Sequence, residues 1–160
     1  MINVTIHGIQ QAQEALKKQI EKLMTDKTVL VGIHESSGEH EGGISNAQLG
    51  AVLHFGGQTG KGGKVTIPPR PWLDAGVQSG VAEYAEIIES HGDDLDSALE
   101  LIGVVAVGRT QEYMTNLSTP ENADSTKKKK GSANPLIDTG NLRQSVTYST
   151  TNIKPEEGIG

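Results

Sequence analysis

Three observations predict an α+β protein. Ile2, Val4 and Ile6 alternate with polar residues, and Val29, Val31 and Ile33 do the same, which is the period-two pattern of half-buried strands. Apolar residues recur every three or four positions over Ile9–Leu23, Val77–Ile88 and Leu95–Tyr113, which is the period of amphipathic helices. Polar, glycine-bearing stretches at residues 35–43, 56–64 and 116–133 separate these units as long mobile loops.

The first strand ends at the turn residue Gly8, and the first helix carries Ile9, Ala12, Leu16, Ile20 and Leu23 on one face. Thr28–His34 returns to strand character. Glu35–Gly43 reads as a loop or hairpin tip, after which Ser45 or Asn46 can cap a short helix from Ala47 to His54. Phe55-Gly56-Gly57 stops that helix, and the segment to Lys64 offers nothing to pack. Val77, Val81, Tyr84, Ala85 and Ile88 form one helical stripe. Asp93 or Asp94 caps the next helix, where Leu95, Leu99, Ile102, Ala106, Arg109 and Tyr113 form another. Both helices are expected on the sheet. Gly140 marks a turn into a last strand over Leu142–Ser149, so a single domain spans residues 1–149 and residues 150–160 form an unpacked tail.

Composition narrows the function classes. The chain has 160 residues, of which 34% are hydrophobic and 20 are glycine, with one Trp, three Tyr and one Phe. A core this thin gains from burial against neighbouring subunits. There is no cysteine, so disulfide and thiol chemistry are excluded. The alternation over Met1–Gln10 is neither a signal peptide nor a membrane span, and a soluble protein with no membrane partner is expected. A net charge of −6 disfavours a general nucleic-acid-binding surface. The charge is polarised, with acids from Glu83 to Glu100 and a basic run at Lys127, Lys128, Lys129 and Lys130 that is a possible contact to DNA backbone. That run has no interleaved aromatic residue for base stacking.

The most informative run is Val65–Leu73, V-T-I-P-P-R-P-W-L. Prolines fix φ and remove backbone donors, so a stiff extended arm is expected there. It carries Arg70 and Trp72, residue types enriched at contact hot spots, although a local cation–π pair at the core edge is the alternative reading.

Catalytic motifs are weak by comparison. Asp138-Thr139-Gly140 after two apolar residues matches the triplet of aspartic proteases, which would require a dimer to pair two carboxylates. Only twenty residues follow Gly140, too few for the supporting strands of such an enzyme, so a structural turn is the preferred reading. Gly60-Lys61 and Gly63-Lys64 lack the upstream glycine and the following Ser or Thr of a phosphate loop. His34 and His40, with Glu35, Glu39 and Glu41, match no defined metal spacing. His7, His54 and His91 have no nucleophile at readable spacing. No enzymatic activity, cofactor or metal is expected.

Three ordered segments carry a family resemblance: N-A-Q-L-G-A-V-L-H-F-G at Asn46–Gly56, I-P-P-R-P-W-L at Ile67–Leu73, and N-P-L-I-D-T-G-N-L-R-Q-S-V at Asn134–Val146. Together they resemble the neck and tail-completion proteins of tailed bacteriophages, often labelled virion morphogenesis proteins. One position departs, His54, where that family commonly places Glu before Phe-Gly. The resemblance implies a small antiparallel sheet with flanking helices and a ring-forming subunit, usually hexameric, between capsid portal and tail tube. Its implied partners are further copies of itself, adjacent neck, connector or tail-tube proteins, and DNA passing through the channel without sequence-specific binding. The implied location is the virion, assembled in the host bacterial cytoplasm. Phe55, Gly56, Ile67, Pro68, Arg70, Pro71 and Trp72 are the expected contact residues, and Asp138, Thr139, Gly140, Leu142 and Arg143 the expected structural turn.

Overall fold

The computed structural model describes residues 13–18, 27–40, 43–124, 128, 136 and 140–152. Residues 13–18 form an exposed helical segment, α1. The expected strand at Ile2–Ile6 and the rest of the first helix lie outside the described residues. Then follow β1 (Thr28–Ile33), β2 (Glu39–His40), β3 (Ile44–Ser45), α2 (Asn46–Phe55), β4 (Gly57–Thr59), β5 (Val65–Ile67), α3 (Trp72–Gln78), α4 (Val81–Ser90), α5 (Leu95–Asn116), α6 (Asn141–Gln144) and β6 (Val146–Thr151). The α+β expectation holds as a mixture of helices with small antiparallel ladders.

Among the described residues the strands pair as three two-stranded ladders, β1–β6, β2–β3 and β4–β5. The β1–β6 ladder joins opposite ends of the chain with Val31 opposite Tyr148 and Ile33 opposite Val146. Directly opposed residues share a face, so this register gathers Val31, Ile33, Val146 and Tyr148 on the side that packs on α5. Glu100 of α5 accepts from the Tyr148 hydroxyl at 3.2 Å and from Thr150 Oγ1 at 2.7 Å, and Gly103 makes room for the Tyr148 ring. Trp72, Met114, Leu136, Leu142 and Val146 form the buried core.

Several expectations are corrected. The stripe Val77–Ile88 is not one helix. It is broken at Ser79-Gly80, where the Tyr84 ring folds over Gly80 and its hydroxyl donates to Val77 O at 2.8 Å. The resulting α4 packs on α5, not on the sheet, and leaves Val81 and Ile88 56% and 42% exposed. On α5 the most buried line is Ala98, Gly103, Ala106, Thr110 and Met114, and only Ala106 belongs to the expected stripe. From Ala98 to Thr110 small residues prevail because α5 is approached by α3 on one side and by the β1–β6 ladder on another, while Met114 near its end fills the core.

The last strand is also revised. Residues 141–144 are helical, with Gly140 at φ +83° before them and Ser145 Oγ donating to Asn141 O at 2.8 Å. Leu142 therefore enters the core from a helical turn, and the strand begins at Val146. Thr150 and Thr151, expected in the tail, belong to β6.

Candidate interaction site

The segment from α2 to α3 is one interlocked unit. Ser45 is the N-cap of α2: its hydroxyl accepts from Gln48 N at 3.1 Å while the Gln48 side chain accepts from Ser45 N at 3.2 Å, a reciprocal capping box. Behind this cap, the buried Asn46 amide donates to Ser37 O and to Ser145 Oγ, fastening α2 to two distant segments. At the other end of α2, Gly56 has φ +78°, and a Cβ there would lie 2.8 Å from Ile67 O and 2.9 Å from Pro69 N. Only glycine permits the left-handed φ and the close passage of the β5 end.

The glycine-rich stretch after Gly56, expected as an unpacked mobile loop, is instead a hairpin. Gly57, Gln58 and Thr59 pair with Ile67, Thr66 and Val65, and residues 60–64 form its tip. Its extensive packing is between its own two strands. Lys61 and Lys64 are exposed at the tip, and Val65 is 51% exposed.

The expected proline arm also takes a different form. Val65–Ile67 is a strand, Pro68–Pro71 an irregular connection, and Trp72 opens α3. Pro71 precedes the first helical turn, where its missing N–H removes no helical bond. The Arg70 amide donates to Leu53 O and His54 O, closing the C-terminus of α2. The Arg70 side chain turns inward and is 2% exposed. Its Nε donates to Pro120 O at 2.9 Å, and its Nη2 donates to Glu121 O at 3.2 Å and Asn122 Oδ1 at 3.3 Å. Burial lowers its pKa from the ordinary value, yet the group remains a cation satisfied by three oxygen acceptors.

Trp72 is 3% exposed, and its Nε1 donates to Gly50 O at 3.1 Å. The ring next to it is His54, at 6.0 Å and edge-to-face, rather than the Arg70 guanidinium. His54 stacks edge-on with Phe55 at 4.6 Å and places Nε2 3.4 Å from Asp74 Oδ2. Between α2 and α3 lies a groove of about 380 Å³ lined chiefly by Ile33, Ala51, His54, Phe55, Trp72 and Leu73.

Of the expected contact residues, Phe55 is 74% exposed and Pro71 is exposed, whereas Arg70 and Trp72 face the interior and Ile67 and Pro68 are half-buried. Leu142 is in the core. Arg143 Nη1 donates to Thr115 Oγ1 at 2.9 Å, and Arg143 O accepts from Gln111, so Arg143 ties α6 to α5. Asp138 and Thr139 lie outside the described residues, as do Lys127, Lys129 and Lys130; Lys128 is exposed. His54 and Asn46 were missed as site features because Trp72, Asp74 and Ser145, which they meet, are distant in sequence, and the hairpin was missed because its residues carry no period-two apolar pattern. Among the described residues no helix is long and apolar enough to cross a membrane.

Comparison with protein-family models, with curated proteins and with solved structures found no match to this chain.

Proposed function

We propose that this chain is a structural subunit of the neck or tail end of a tailed bacteriophage, acting by assembly into an oligomeric ring around a DNA channel. Its partners in this reading are further copies of itself and the adjacent neck, connector or tail-tube proteins, and its place is the virion. The observation that carries the reading is the hairpin β4–β5. An isolated two-stranded hairpin is marginal in water, yet this one projects from a base made rigid by Gly56, the Arg70 amide and Trp72. A precisely held but uncovered element has the form of a contact awaiting a neighbour. The ordered motifs that resemble the virion morphogenesis family converge on that base: Asn46–Gly56 forms α2 and its C-cap, Ile67–Leu73 closes it, and Leu136 and Leu142 pack with Trp72 in one core.

Arg70 and Trp72 support assembly indirectly in this reading, by holding the base, while Phe55 and the hairpin meet the neighbour. The net charge of −6 suits a lumen that lets DNA slide without gripping it. Negative-stain imaging of the purified full chain tests the proposal. Rings of fixed symmetry are expected, and a monodisperse monomer at all concentrations would refute it.

A further inference from the structure

The exposed face of α4 is built as a contact surface. Val81, Ala85 and Ile88 recur at i, i+4 and i+7 and are all exposed, while Glu83, Tyr84 and Ile87 on the opposite side are half-buried. Glu89 borders the apolar stripe and Glu86 lies one turn earlier on the same side of the helix, both exposed, and Asp93 follows in the turn after α4. The hairpin offers the matching pattern. It has Val65 exposed, Lys61 and Lys64 exposed at its tip, and no acidic residue from Gly57 to Ile67.

We infer that the α4 face receives the β4–β5 hairpin of a second copy of this chain, with Val65 against Val81, Ala85 and Ile88, and with Lys61 and Lys64 against Glu86 and Glu89. The two surfaces are different patches of one molecule, so the contact is head-to-tail, the kind from which a ring forms when the rotation between subunits closes. Opposite charge selects this pairing over hairpin-to-hairpin or α4-to-α4 contact, each of which opposes like charges. The inference rests on the ring reading and adds to it the pair of surfaces that meet.

The chain has no cysteine, so introduced thiols report the contact without background. Full-length Val65→Cys and Ile88→Cys chains, mixed under mild oxidation, are expected to give one covalent heterodimer. The doubly substituted chain is expected to give a ladder ending at the subunit number of the ring. Self-linking of either single variant, or no link in the mixture, would overturn the proposal. Charge exchange supplies a second measurement. Lys61→Glu with Lys64→Glu, or Glu86→Lys with Glu89→Lys, is expected to weaken self-association about tenfold at low salt, and equimolar mixing of the two is expected to restore it. Helical circular dichroism and Trp72 emission verify that each variant is folded. Rings of unchanged affinity in both reversals would remove this interface and leave the ring reading standing, whereas a monomeric unaltered chain would remove both.

Discussion

Gly76 of α3 faces Thr110 of α5 so closely that an added Cβ would stand 2.7 Å from the Thr110 Cα. Backbone cannot swing aside as a side chain can, so Gly76→Ala must push the two helices apart. A loss of about 1–3 kcal/mol is expected, read by denaturant unfolding. Arg70→Ala would leave Pro120 O, Glu121 O and the Asn122 side chain without their shared donor. A cost of roughly 1.5–3 kcal/mol is expected from the charged hydrogen bonds alone. Arg70→Lys should recover little, because a single ammonium cannot reproduce the planar fork that reaches three acceptors. Asp94 caps α5 by accepting from Ser97 Oγ at 2.6 Å and Ser97 N at 3.1 Å, and these bonds hold its pKa below the ordinary 3.8. A depressed carboxylate pKa stabilises the fold above the unfolded value and loses that contribution as pH falls through the folded value. Asp94→Asn should therefore flatten the loss of stability on acidification below about pH 4, followed as melting temperature against pH.

Helix α2 shows how local signals and remote ones divide the work at the scale of an element. Its start was legible to within a residue, because Ser45 and Asn46 are both cap formers, and the capping box between Ser45 and Gln48 selects Ser45. Its end was legible too, because Phe-Gly-Gly breaks any helix. The hairpin that follows was not, since the segment carries glycines at every bend and no period-two apolar pattern. What defines it is the pairing of Gly57 with Ile67 and the passage of Gly56 against the β5 end. Gly56→Ala is expected to lose the hairpin through both the φ of +78° and the 2.8 Å approach to Ile67 O. Amide exchange at Thr59 and Ile67 would rise while that of α5 stays protected. The two-helix break at Gly80 was hidden for a related reason. Helical spacing from Val77 to Ile88 survives across the break, and only the fold of Tyr84 over Gly80 reveals it.

Assembly tests on the whole molecule must use residues that face outward. Trp72→Ala would empty the core and is expected to cost about 3–5 kcal/mol, so a lost ring in that variant would report a lost fold. Phe55 is 74% exposed, and Phe55→Ser is expected to leave folding stability within about 0.5 kcal/mol while weakening ring formation, measured by sedimentation alongside imaging. Rings of Phe55→Ser that are as stable as those of the unaltered chain would show that the α2 end lies away from the subunit contact.

Read alone, the chain settles the helical and extended character of most segments, narrows the caps of α2 and α5 to two adjacent residues each, and shows the glycine stops and the acidic bias, because each depends on residues within a few positions of one another. Tertiary structure alone decided which side chains turn inward. Arg70 finds its acceptors 50 to 52 residues away. Thr28 pairs with Thr151 at the far end of the described chain. From Ala98 to Thr110 the buried line of α5 is Ala, Gly and Thr because backbones meet there, and only Met114 beyond it is large. Proximity between distant segments leaves no periodic trace in a single chain, so the same tryptophan and arginine that read as an outward arm became the clamp behind the hairpin.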